Sequence, residues 1–209
     1  SKYNLTGGTS WQRPDTKRLV LLVPGQVESD ASLRYGSPYI KSNVDLLRTV
    51  RQQNPNAYIV YKTHPDVLAG LRAKGKDENT VHHWCDEVLT HANPSPLLKQ
   101  VDAVHTLTSL LGFEALLRQK PVYCYGHPFY AGWGLTQDIY PIARRTRPLT
   151  LDMLVAATLI LYPLYISRTG HSYTTPEATL DTLLAWRQNS SSNKCGWRYI
   201  YRKLRAFWP

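Results

Sequence analysis

Cysteine is scarce in this sequence, with three residues among 209, and methionine occurs once. Cys85, Cys124 and Cys195 are far apart, odd in number and form no Cys-x-x-Cys pair. This pattern excludes a disulfide framework and a zinc ribbon and favours a reducing compartment. The sequence also lacks an apolar run of about 18 residues, which excludes a spanning helix, and we expect no signal peptide.

Acidic residues are in short supply: 15 Asp and Glu stand against 25 Lys and Arg, so the formal net charge is +10. Hydrophobic residues at 43% and charged residues at 19% are values of a globular chain and exclude wholesale disorder. The excess positive charge predicts a phosphate-bearing partner, either nucleic acid, a nucleotide or an anionic membrane.

Short apolar runs alternate with helix-like patterns along the first two thirds of the chain. Buried strands are predicted at 19–23, 57–61, 101–105 and 121–125, with a short strand at 86–90. Helices are predicted at 44–50, with Asn43 as N-cap, at 94–99 and from Leu110 to Leu117. This alternation predicts a doubly wound, Rossmann-like α/β domain.

The predicted organisation has three parts. Residues 1–17 form a linker, and 18–187 form the Rossmann-like domain with C-terminal helices at 151–162 and 176–187. Residues 188–209 form a flexible linker and a tail that alternates aromatic with basic residues.

Candidate site residues follow the predicted strands, because ligands of open α/β sheets bind outside the carboxyl ends of the strands. Glu28 and Asp30 come directly after the first strand, where one of them could serve as a nucleophile or base. A solvated or helix-capping acid is the alternative for each.

Lys62 and His64 follow the second strand, just before a proline that can open a helix. This arrangement suits a phosphate, and a capped turn with a solvated lysine is the alternative. Hydroxyls at Thr106–Ser109 precede a helix that contains Glu114. These hydroxyls and Glu114 could contact a phosphate and a ribose. An ordinary capped helix is the alternative.

The loop 126–136 holds three glycines, three aromatic residues that include Tyr130, and His127. It is typical of a loop that presents aromatic faces to a ligand, or of a packed Ω-loop. His82, His83 and Cys85 lack the second ligand pair of a metal centre, so neither a metal nor a cofactor is predicted.

Taken together, four segments resemble the capsule polysaccharide biosynthesis and export family: Val23–Ser32, Tyr61–Asp66, His105–Glu114 and Gly126–Thr136. The resemblance covers roughly residues 2–187, and the order and spacing of the segments fit throughout. Members of this family include retaining β-Kdo transferases, which build the poly-Kdo linker of Gram-negative capsules.

The resemblance implies a glycosyltransferase of GT-B type, with two Rossmann-like domains and CMP-Kdo as donor. This chain resembles the C-terminal, nucleotide-binding half of one module, so the N-terminal half is missing from it. A non-catalytic capsule assembly or export factor that binds nucleotide or glycolipid is the alternative.

The resemblance also assigns catalytic residues. Asp30 matches the acid proposed as nucleophile of a double displacement, with Glu28 as a neighbouring candidate for acid–base or positioning work. Lys62 and His64 match a motif that contacts the CMP phosphate and assists its departure.

Binding residues follow in the same way. Ser109 and Glu114 match positions expected at the phosphate and ribose, while Gln26, His127 and Tyr130 are expected in the cleft. One departure is Gln119, which stands where the family has glycine.

These assignments place the excess positive charge of the chain at two different sites. Lys62 belongs with a nucleotide phosphate, whereas Lys194 to Arg205 lie in an aromatic tail that suits an anionic membrane surface. We expect a protein of the cytoplasm, peripheral to the inner membrane, that uses a lipid-linked glycan acceptor. No nucleic-acid module is recognisable, so nucleic acid is not an expected partner.

Overall fold

A computed structural model describes residues 11–167, 170 and 172–190 of the chain. The chain divides into two compact units, one up to Leu151 and one from Asp152 onward. The sequence analysis treats 18–187 as one domain. A helix that starts at Leu151 crosses the boundary between the two units.

The first unit is built on a six-stranded sheet in which every paired neighbour is parallel. The strand order is β3-β2-β1-β4-β5-β6, the order of doubly wound nucleotide-binding domains, which confirms the predicted fold class. The strands are β1 (Val20–Pro24), β2 (Tyr58–Lys62), β3 (Glu87–Leu89), β4 (Ala103–Thr106), β5 (Val122–Cys124) and β6 (Gln137–Asp138).

Short helices connect the strands. Those of the first unit are α1 (Ala31–Gly36), α2 (Asn43–Gln53), α3 (Pro65–Leu68), a 3₁₀ turn (Glu78–His83), α4 (Pro94–Gln100) and α5 (Leu110–Leu116). α6 (Leu151–Val155) runs into a π-helical segment (Ala156–Leu161), so the predicted helix at 151–162 is present but changes type. The second unit also has an antiparallel pair, β7 (Tyr165–Ile166) with β8 (Tyr173–Thr174), and helix α7 (Pro176–Ser190).

The sheet is buried on both faces. Leu21 and Ile59 join the core cluster that includes the apolar face of α2. Leu22, Val60 and Val104 point the other way by strand alternation and are fully buried as well. Burial on both faces explains why the strands appear in the sequence as continuous apolar runs.

One local prediction, the N-cap of α2, is corrected. The N-cap of α2 is Ser42, whose hydroxyl accepts a hydrogen bond from Asp45 N at 3.0 Å. The side chain of the expected cap, Asn43, instead bonds the backbone of Gln26 in both directions, at 2.9 Å each. Gln119 has a left-handed φ of 56°, a conformation that glycine adopts most readily, in keeping with the glycine that the family resemblance expects there.

Near both ends of the chain, the described residues of the predicted linkers have defined structure. The Trp11 indole N–H donates to Glu87, and Arg13 forms an ion pair with Asp102, so these residues pack on the first unit. Helix α7 continues to Ser190, and the predicted tail from 191 to 209 lies outside the described residues. Within the described part of the chain, no helix is long and apolar enough to span a membrane.

Candidate active site

A cavity of about 370 Å³ opens at the carboxyl ends of β1, β2 and β4. This is the point where the strand order reverses direction between β1 and β4, the usual ligand site of doubly wound sheets. Six of the nine predicted site residues line it: Gln26, Asp30, Lys62, His64, Ser109 and Glu114. Its volume lies in the range of small-molecule sites.

Lys62 brings a buried positive charge to this cavity. It is the last residue of β2, opposite Pro24 in the sheet register, and only 7% of it is exposed. Burial lowers the pKa of its ammonium group. No carboxylate among the described residues forms an ion pair with it. An uncompensated cation of this kind is well suited to an anionic ligand.

His64 is held in a defined orientation at the same edge. It is the N-cap of α3, where Pro65 opens the helix as expected, and its Nδ1 accepts a hydrogen bond from Asp66 N at 3.2 Å. Since Nδ1 accepts, the neutral ring carries its proton on Nε2. The ring can therefore donate from Nε2 to a ligand oxygen.

Asp30 occupies the N-cap position of α1, where its backbone oxygen accepts from Leu33 N and Arg34 N at 3.0 Å. Its side chain does not cap the helix. It forms an ion pair with Arg72 instead, and the Asp30 side chain keeps 40% of its surface exposed. The carboxylate is thus near the mouth of the cavity, beside a single cation.

Glu28 lies outside the cavity lining. Its two carboxylate oxygens accept hydrogen bonds from Asn43 N and Lys76 N, both at 2.8 Å. A Cβ on Gly75 would lie 2.4 Å from Glu28 Oε1, so the loop approaches this carboxylate too closely for a larger residue. Of the two roles considered for Glu28, its contacts fit positioning.

Gln26 links the loops that follow β1 and β4. Its Nε2 donates to Thr108 Oγ1 at 2.9 Å, and its Oε1 accepts from Thr108 N at 3.0 Å. With its backbone bonded to Asn43, every polar group of this cavity-lining residue has a partner within the protein. Gln26 therefore shapes the wall of the cavity.

Ser109 is the N-cap of α5, and Glu114 lies within this helix. Ser109 Oγ caps the helix by accepting from Leu111 N at 3.2 Å, and Glu114 lies one turn further along with its side chain partly exposed. Both residues line the cavity on the side opposite β2. They place a hydroxyl and a carboxylate within reach of one bound molecule.

The structure does not bring His127 and Tyr130 to the cavity lining. Tyr130 is fully buried, and its hydroxyl donates to Ser109 O at 2.5 Å, so it supports the start of α5 from behind. The backbone N of His127 donates to Gly36 O at 2.6 Å. Its Nε2 is buried without a hydrogen-bond partner among the described residues.

Two contributors were missed by sequence reasoning. Thr108 was noted only as a polar residue of its segment, yet it is the partner of Gln26 and lines the cavity. Arg72 follows Asp30 by 42 positions in a loop without any periodic pattern. The sequence marks Arg72 only as a basic residue two positions after Gly70. In the structure, Gly70 ends the preceding helix with a φ of 67°.

Comparisons with known proteins agree with the fold and with the family resemblance. The family model described as capsule polysaccharide biosynthesis protein matches residues 9–167. The capsule polysaccharide modification protein LipA of Neisseria meningitidis serogroup A is 51% identical over 193 residues, which is 92% of this chain and 27% of LipA. The lipopolysaccharide-processing protein LpsZ of Rhizobium meliloti is 46% identical over 166 residues, 79% of this chain and 38% of LpsZ.

Solved structures of KpsC from Thermosulfurimonas dismutans are similar as well. Its beta Kdo 2,7 transferase superposes with a TM-score of 0.77 at 48% identity, and its beta Kdo 2,4 transferase with 0.70 at 32% identity. Each match covers 84% of this chain and 56% of the solved one. The chain thus spans about a quarter to two fifths of the length of the curated relatives given above.

Proposed function

This chain belongs to the capsule polysaccharide biosynthesis family, and we propose that its cavity binds CMP-Kdo as the donor of a retaining β-Kdo transferase. The observation that carries the proposal is the convergence of a carboxylate, a buried lysine and a histidine in one cavity at the switch point of the sheet. The similarity to solved Kdo transferases supports the choice of sugar.

The phosphate of the donor is assigned to Lys62 and His64. As the bond to the sugar breaks, negative charge builds up on the phosphate oxygens. A buried ammonium group and an oriented Nε2–H stabilise that charge best where water is largely excluded. The countercharge for the leaving phosphate is assigned to these two side chains.

Asp30 is assigned as the nucleophile. A lone pair of its carboxylate forms a bond to the anomeric carbon while the bond to the phosphate oxygen breaks, and that electron pair leaves with CMP. In the second step the acceptor hydroxyl oxygen bonds to the same carbon, the ester to Asp30 breaks to restore the carboxylate, and the hydroxyl proton passes to the CMP phosphate or to water. Two inversions give net retention.

The nucleoside end is assigned to α5. Glu114 is placed to accept hydrogen bonds from ribose hydroxyls, and the N-terminal turn at Ser109 faces the phosphate. Gln26 and Glu28 hold the surrounding loops, and Tyr130 supports α5. These residues position the site without touching the donor.

The acceptor side is assigned to protein outside this chain. Because the chain covers 56% of the solved transferases, we propose that a second Rossmann-like half completes a GT-B cleft and receives a lipid-linked glycan. The basic tail from 191 to 209 is proposed to hold the enzyme on the cytoplasmic face of the inner membrane, where such an acceptor is found.

A transfer assay with the full-length protein that contains this chain tests the proposal. With CMP-Kdo and a glycolipid acceptor, Asp30→Asn and His64→Ala are expected to abolish transfer by this module, with the thermal unfolding transition retained. The exposed Asp15→Asn serves as a matched acid control. Binding of CMP without any transfer by the wild type would favour the non-catalytic assembly factor.

A further inference from the structure

Arg72 pairs with Asp30, a residue that lines the cavity, but has no role yet in the proposed chemistry. It reaches Asp30 from a loop that lies 42 positions further along the chain, and its guanidinium forms an ion pair with the Asp30 carboxylate. Both side chains remain partly exposed, 46% for Arg72 and 40% for Asp30. The pair is therefore partly open to solvent, and Asp30 also lines the cavity.

The loop that carries Arg72 is tied to the site at both ends. Leu71 N and Arg72 N donate to Asp66 O at 2.9 Å and 3.2 Å, just after the His64 turn. Beyond Arg72, Lys76 N donates to Glu28 at 2.8 Å. The guanidinium is thus presented by a segment that is anchored both to the phosphate side and to the nucleophile side of the cavity.

The position of Arg72 suits the electrostatics of the proposed donor. Kdo is a ulosonic acid, so its anomeric carbon bears a carboxylate next to the bond that breaks. A carboxylate nucleophile must approach that carbon against the repulsion of a second anion. A cation between the two removes the repulsion, and arginine suits this task because its planar fork can bond two carboxylates at once.

We propose that Arg72 binds the carboxylate of the donor sugar while it holds Asp30, and so selects sugars with an acid group on the anomeric carbon. This inference rests on the proposed function. Among the described residues, the side chain of Arg72 makes one hydrogen bond, from Nη2 to Asp30 Oδ1, and its other N–H groups can bond a second carboxylate.

The test compares two ligands that differ only in the sugar. The affinities of CMP and CMP-Kdo are measured by calorimetry for the whole chain, for Arg72→Gln and for Arg72→Lys. Lys74→Gln is the control, since Lys74 is an exposed cation of the same loop with no recorded contact to Asp30. The CMP affinity of each variant also reports whether its nucleotide site is intact.

We expect Arg72→Gln to weaken CMP-Kdo binding about tenfold or more and to leave CMP binding unchanged. The affinity of Arg72→Lys for CMP-Kdo should lie between those of the wild type and Arg72→Gln, because lysine keeps the positive charge but lacks the planar guanidinium. Lys74→Gln should bind CMP-Kdo as tightly as the wild type. Equal affinity of wild type and Arg72→Gln for CMP-Kdo overturns the role of Arg72 and leaves the proposed function standing. A wild type that binds neither ligand overturns both.

Discussion

Gln26 and Thr108 are joined by two hydrogen bonds across the switch point of the sheet, at 2.9 Å and 3.0 Å. One residue follows β1 and the other follows β4, so the pair closes the wall of the cavity between the loop of the nucleophile and the start of α5. The geometry of the site therefore depends on a residue that makes no assigned contact with the donor.

Replacing Gln26 by alanine should destabilise the protein and loosen the cavity. The change removes two hydrogen bonds from the half-buried Thr108, to its backbone N–H and to its hydroxyl, and each such bond contributes about 0.5–1.5 kcal/mol. Urea denaturation should show a loss in the free energy of unfolding of that size, and CMP affinity should fall with it. The exposed Gln52→Ala, on α2, should change the free energy of unfolding by less than about 0.5 kcal/mol; a similar loss in both variants would contradict the role of Gln26.

Replacing Lys62 by methionine should stabilise the fold and weaken the binding of CMP. The buried ammonium has no ion-pair partner among the described residues, so its removal should raise the free energy of unfolding by about 1 kcal/mol or more. CMP affinity should fall about tenfold or more, because the phosphate loses its cation. Affinity for cytidine, which lacks a phosphate, should not change.

The opposite result for Lys62 is equally clear. A variant that is less stable than the wild type and binds CMP normally would show that the lysine serves the fold. Lys74→Met, at an exposed position of the same unit, should alter neither quantity.

Stability should decline in acid because of His105. Burial lowers the pKa of this histidine to about 4, against about 6.5 in an unfolded chain. The unfolded state therefore binds the proton first, so the stabilisation is complete above about pH 6.5 and falls as the pH drops toward 4, by about 3 kcal/mol in all.

His105→Phe provides the comparison for this pH effect. The His105 ring stacks on Tyr123 with centroids 4.4 Å apart and planes 2° from parallel, a contact that phenylalanine can keep. Denaturation curves at pH 7.5 and pH 4.5 should show a smaller difference for the variant. Equal losses in the two proteins would assign the acid sensitivity to other groups.

Gly112→Ala should destabilise α5 even though alanine is the better helix former. A Cβ at this position would lie 2.2 Å from the Tyr130 hydroxyl, inside the fully buried contact behind the helix. We expect a loss of about 1–3 kcal/mol by thermal or urea unfolding. Adding Tyr130→Phe removes the nearest atom and should recover part of the loss; full additivity of the two substitutions would argue against this clash.

The sequence predicted the sheet better than the connections. Val20–Pro24 and Tyr58–Lys62 are buried on both faces, so their apolar runs mark them directly. Helix α1 escaped prediction because only Leu33 of its six residues is buried, which leaves no periodic pattern to detect. Strand β6 has two residues in a glycine-rich stretch and is defined by its pairing to β5 alone.

Prediction of the site followed the same logic. Asp30, Lys62 and His64 come just after strands, and the parallel sheet brings those positions to one cavity. Tyr130 was expected in the cleft from the family resemblance and Glu28 because it neighbours Asp30. Neither signal reveals that the Tyr130 side chain is fully buried or that backbone N–H groups bond the Glu28 carboxylate. Arg72 depends on a loop that folds back over 42 residues, a contact no local pattern contains.

The assignment of Asp30 as nucleophile is tested most directly by locating the covalent intermediate. The full-length protein that contains this chain is incubated with CMP-Kdo without acceptor, quenched in acid, digested with trypsin and analysed by peptide mass spectrometry. The peptide from Leu19 to Arg34 contains both Glu28 and Asp30, so fragment ions must separate them. We expect one added Kdo residue on Asp30, retained in Glu28→Gln and lost in Asp30→Asn. An adduct on another residue, or transfer that persists in Asp30→Asn, would contradict the assignment of Asp30 as nucleophile.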